Sequence, residues 1–167
     1  RDSLTPLVLA CAVLGEKMDG LDFPDSPKNY ALESASDGLR RVGAIAEDGA
    51  VTGRGYKLFS LPLDTHVANL LVECESQGLL DDAIDLASPI QAGRDLFLPR
   101  RPEDPGNDLR CSGCDAVASI NALRFGDPSK HLLDRSALRE ARVVRDELRS
   151  AFGLQKKGSS EPISCAR

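Results

Sequence analysis

The sequence predicts a mainly α-helical chain carrying one small β-hairpin. Three observations predict it. Apolar residues recur at three- and four-residue spacing through most of the 167 residues. The segments so patterned end repeatedly at a glycine, at Gly15, Gly43, Gly78 and Gly153. One Asp-Gly pair, Asp48-Gly49, stands between short apolar pieces, which is the local signal of a hairpin. The composition, 41% apolar and 28% charged with 4% aromatic, is that of a globular chain long enough to bury a core without metal or disulfide staples. Collagen and coiled coil are excluded. No apolar run approaches the roughly 20 residues of a spanning helix, so no membrane partner is expected.

The elements follow in order. Ser3 is placed to cap a first helix whose positions Leu4, Leu7, Val8, Cys11 and Leu14 keep helical spacing, with Pro6 tolerated in the opening turn. The run Leu4 to Leu14 has the apolarity of a signal-peptide core. Its only preceding cation is Arg1, balanced by Asp2, so a buried helix is the better reading. The sequence does not begin with Met, and a piece of a longer protein is expected. Pro24 and Pro27 break the next stretch. A second helix then runs from about Tyr30 to Val42, with Leu32, Ala35, Leu39 and Val42 on one face. The hairpin comes next, Ala44-Ile45-Ala46 against Val51-Thr52, and Thr52 caps a short helix through Leu58 and Phe59. Two helices and a hairpin describe a winged-helix-like module over residues 1–63.

Residues 64–153 predict a helical bundle. Asp64 or Thr65 caps a helix with the stripe Val67, Leu70, Leu71 and Cys74. Another spans about Leu80 to Ile90, bent or ended by Pro89. Pro99 to Asp108, with three prolines, reads as an exposed loop. Leu109 to Phe125 and Arg135 to Phe152 complete the bundle, the latter capped by Asp134. The polar stretch 154–167 predicts a disordered tail.

Few residues offer chemistry. Cys111-Ser112-Gly113-Cys114 supplies two of the four ligands that a structural zinc needs, and no second pair exists. Cys11, Cys74 and Cys165 bring the cysteines to an odd, scattered five, which suits a reducing, cytoplasmic setting. His66 and His131 lie in no nucleophile or metal motif, so no catalytic residue and no metal site is assigned. Gly53-Arg54-Gly55 lacks the third glycine of a dinucleotide fingerprint, and there is no phosphate-cradling loop. The chain is therefore expected to hydrolyse no ATP by itself and to hold no cofactor. Asp81, Asp82 and Asp85 read as a solvated helix start favoured by the macrodipole.

Charge is split. Residues 1–98 carry 8 Lys/Arg against 16 Asp/Glu, and residues 99–167 carry 13 against 10. The first part repels phosphate at long range and the second tolerates it. Within the second, Arg135, Arg139, Arg142, Arg145 and Arg149 fall in an arc of about 120° on one helix. Five guanidiniums in such a stripe form a candidate nucleic-acid-binding face, the alternatives being a solvated face or a contact with a partner domain.

Phe23-Pro24-Asp25-Ser26-Pro27, Ala31-Leu32-Glu33 and Leu39-Arg40-Arg41-Val42-Gly43-Ala44-Ile45 closely resemble one region of the DEAH-box helicases. The resemblance continues through Asp48-Gly49, Val51-Thr52, Gly55, Leu61-Pro62-Leu63-Asp64, Ala68 and Leu70-Leu71. It covers about residues 1–90 and returns at Asn121-Ala122-Leu123-Arg124 and at the helix Leu138 to Phe152. The short Gly93-Arg94-Asp95 connection is more similar to the bacterial HrpB-like branch. Thr65, where the family has Pro, and Pro89, inside a segment usually unbroken, depart from the pattern.

The resemblance implies a winged helix followed by a helicase-associated, ratchet-like bundle. These are accessory parts of an ATP-dependent RNA helicase, whose RecA-like motor domains would bind ATP and Mg elsewhere. The implied partners are those motor domains and single-stranded RNA or another nucleic acid, and no catalytic residue carries over. Two other readings are a free-standing winged-helix DNA-binding regulator and a helical interaction scaffold. Against the regulator, the helix from Tyr30 carries Glu33 and Asp37 where a recognition helix needs cations.

Overall fold

The computed structural model describes residues 3–99, 109 and 114–154. Three readings fall wholly or mainly outside them: most of the loop from Pro99 to Asp108, Cys111 with Cys165, and the tail from residue 155. The described residues are mainly helical, with seven α-helices: α1 Thr5–Leu14, α2 Asn29–Arg41, α3 Gly53–Ser60, α4 Thr65–Ser76, α5 Leu80–Ala92, α6 Asp115–Phe125 and α7 Arg135–Ala151. None of them is long and apolar enough to cross a membrane. The chain divides into two compact units, Arg1–Glu73 and Cys74–Arg167.

In the first unit, α1 packs on α2 and α3. Leu9, Leu39, Leu58 and Leu71 are its most enclosed large side chains, joined by Ala44 and Ile45. Leu14, expected on the buried face of α1, is 70% exposed, while Leu9 is buried in its stead. Nearly every position of α1 is apolar, so the spacing names no unique face and packing chooses it. The expected hairpin is reduced to one antiparallel bridge, Ile45 with Val51. Ala46 N–H donates to Ala50 at 2.8 Å and Thr52 N–H to Ala44 at 3.0 Å, closing the turn without strands to either side. Thr52 caps α3, its Oγ1 accepting from Gly55 N–H at 3.1 Å. A side chain at Gly55 would run into the Ala44 carbonyl oxygen and Val51. That close approach accounts for the glycine without any nucleotide.

Ser3 does not cap α1. The cap position is Leu4, and the Ser3 hydroxyl oxygen accepts from Thr5 N–H at 3.2 Å instead. Asp64 Oδ1 accepts from His66 N–H at 2.8 Å at the start of α4. The stripe of α4 is turned from that expected: Ala68, Leu71 and Val72 are buried and Leu70 is partly exposed. Arg54 fastens α3 to α4 through Asn69 at 2.8 Å and Glu73 at 3.0 Å.

In the second unit α5 packs most extensively on α7 and then on α6. Leu96, Leu109, Ala122, Leu123, Leu133, Ala137, Leu138 and Ala141 form a continuous core. Pro89 does not end α5, which continues to Ala92. The proline removes one donor late in the helix, and burial of Ala87, Ser88 and Pro89 holds the last turn in place. Phe97 and Leu133 form a second isolated bridge, which lays the segment after α5 beside the entry to α7.

Candidate nucleic-acid interface

Helix α7 carries the arginines, and its start is fixed locally. Asp134 Oδ1 accepts from Ser136 N–H at 2.8 Å and from Ala137 N–H at 2.9 Å. The Ala137 bond, against a smaller desolvation penalty, holds the Asp134 carboxyl below its ordinary value. Leu138, Ala141 and Leu148 are buried as their spacing predicts.

The five guanidiniums do not share one environment. Arg135 and Arg139 are exposed. Arg142 is half-buried, its Nε donating to the Leu123 carbonyl at 3.1 Å and its Nη2 to the Gly126 carbonyl at 2.9 Å. It thereby satisfies carbonyls at the end of α6, where a cation also meets the negative end of the helix dipole. Burial, and then the charge of Arg145, lower the Arg142 pKa from its ordinary value. Arg145 stands 3.6 Å from Asp146. Arg149 is 7% exposed and reaches Asp81 at 2.6 Å. The reason is angular. At about 100° per residue, buried Leu138 falls between Arg145 and Arg149 on the wheel, so the arginine arc runs from open solvent into the core edge.

The acidic start of α5 is likewise more than a solvated turn. Asp85 is buried, and its carboxylate binds Arg124 Nε while Asp82 binds Arg124 Nη2, both at 2.5 Å. Burial opposes the charge on Arg124, but the bonds to Asp82 and Asp85 outweigh it and raise its pKa. These partners lie 39 and 42 residues away in sequence, beyond any local pattern.

Beside α7, from Arg135 to Asp146, lies an open cavity of about 250 Å³. Arg135, Arg139 and Arg142 line it, with Asp146 as its single acid. Val143 and Pro128 supply the apolar wall, and Leu138, almost wholly buried, closes its floor. Val143 and Pro128 carry no charge and escape a search for charged residues. Val143 was nonetheless findable, one turn beyond Arg139 on the same helix. His131 is not at this face chemically. Its Nδ1 accepts from Asp127 N–H at 3.0 Å. Among the described residues, no group of three or more His, Cys, Asp or Glu side chains is placed to hold a metal ion.

No protein-family model matches the sequence. A stretch of 104 residues, 62% of the chain, is 30% identical to a probable ATP-dependent RNA helicase of Saccharomyces cerevisiae, DHR2. Another of 94 residues, 55% of the chain, is 30% identical to the ATP-dependent RNA helicase DHX33 of Drosophila melanogaster. These similarities support a helicase-related family. In both cases the matched stretch spans 14% of the relative's own length.

Proposed function

We propose that this chain is an accessory part of an ATP-dependent, DEAH-type RNA helicase. The observation that carries the reading is the 30% identity to two RNA helicases over more than half of the chain. In this reading residues 1–63 are a winged-helix module that packs on RecA-like motor domains, and residues 64–153 are a ratchet-like bundle beside the strand. ATP and Mg belong to the motor domains, and the setting is cytoplasmic. The strand passes the α7 face, where Arg135 and Arg139 contact phosphates, Arg142 adds a fixed positive charge and Arg145 stands at the rim. Arg149 ties α7 to α5 and supports the face from beneath.

The test uses the full chain and a fluorescently labelled single-stranded RNA, read by anisotropy at low salt. Arg135→Glu with Arg139→Glu is expected to weaken binding at least tenfold, since both side chains are exposed and their reversal spares the fold. Unchanged affinity would remove α7 from the strand's path. Reversal of Arg142 or Arg149 is the wrong experiment, because each holds helices together.

A further inference from the structure

We propose that the cavity beside α7 takes one unpaired nucleotide unit, its phosphate on Arg135 and Arg139 and the flat face of its base against Val143 and Pro128. The inference rests on the reading of α7 as facing a strand, and goes beyond phosphate contact to an inserted base. Three arginines against one aspartate give the lining a net positive charge, so the occupant is an anion. The apolar wall requires that this anion also carry an apolar face. A volume of about 250 Å³ suits a group of nucleotide size, and only an unpaired strand can lay a base on the wall, since a duplex keeps its bases stacked inward. Single-strand sites combine these same two elements, cations along the backbone and a surface on which a base lies.

The order of residues along α7 sets the orientation. Arg135 and Arg139 are one turn apart, about 6 Å along the axis. Asp146 lies about 16 Å beyond Arg135. Its carboxylate repels phosphate at that end and accepts from the N–H edge of a base. Every nucleobase offers such an edge, so the cavity tolerates sequence. Arg142 is held by the Leu123 and Gly126 carbonyls, so its charge is in place before anything binds. An acidic peptide would satisfy the arginines but would leave the wall of Val143 and Pro128 bare.

The experiment compares, on the full chain, a ten-nucleotide single-stranded RNA with a strand of equal length whose bases are removed. The abasic strand is expected to bind about tenfold more weakly, the loss of one base contact. Val143→Asn changes no charge, and Val143 is 53% exposed, so the fold tolerates it. This variant is expected to bring the intact strand down to the abasic one. Equal affinity of both strands for the unaltered chain, with Arg135→Glu and Arg139→Glu still weakening both, would overturn the inserted base and leave the phosphate reading standing. Indifference of both strands to the arginine reversals would remove both. Competition by a 5′-mononucleotide or an oligoglutamate at lower concentrations than the strand would give the cavity to a free nucleotide or an acidic peptide, and overturn the assignment.

Discussion

Arg124 shows how much of the second unit depends on single charged groups. Its side chain is 9% exposed and is shared between Asp82, half-exposed, and Asp85, 5% exposed. One oxygen of Asp85 has no hydrogen-bond partner among the described residues, so the carboxylate depends on Arg124. Asp85→Ala is expected to lower stability by about 3 kcal/mol, because it removes the acceptor of Arg124 Nε and leaves a buried guanidinium with only its outer partner. Urea denaturation followed by circular dichroism measures this, and a change below about 0.5 kcal/mol would mean that Asp82 alone suffices. Gly126 belongs to the same scale. A Cβ there would strike the Ala122 carbonyl oxygen and Leu133, so the glycine lets α6 end against the core while its own carbonyl receives Arg142.

At the scale of elements, α7 depends on its cap. The Asp134 carboxyl sits below its ordinary value of 3.8, chiefly through the Ala137 bond, so the unfolded chain takes up the proton more readily than the folded one. Its contribution is therefore complete above about 3.8 and is lost as pH falls through the lower folded value. Asp134→Asn keeps a cap-competent side chain but cannot titrate. The variant is expected to lose less thermal stability than the parent between pH 4 and pH 2, and parallel melting curves would show that the cap charge contributes nothing. Caps at Thr52, Asp64 and Asp134 were legible from a short polar side chain before a periodic run, a signal that failed at Ser3, where Leu4 takes the cap position. The faces of α1 and α4 were not, since apolar residues nearly surround α1 and cover more than half of the turn of α4, so that only packing ranks them.

For the whole molecule the governing quantity is charge. The chain carries a net charge of −5, and residues 1–98 are the strongly acidic part. Attraction for a polyanion must then be local to residues 99–167, of whose 13 cations α7 carries five, and screened by salt. With about three phosphate contacts, the slope of log affinity against log salt for single-stranded RNA is expected near −2. Removing Arg135 and Arg139 should bring it near −0.7. A slope unchanged by the double variant, titrated over the same salt range, would place the phosphate contacts elsewhere.

The sequence by itself determined the helical class, most helix ends and the positions of the arginines, because these follow from spacing, caps and glycines within a few residues. Only the tertiary structure decided which arginines remain open. Whether a guanidinium faces water or a carbonyl depends on what another helix presents to it, and Asp81 lies 68 residues from Arg149. The cavity was decided the same way: its wall joins Pro128 to α7 across the turn that precedes the helix, a juxtaposition made by folding and not by periodicity.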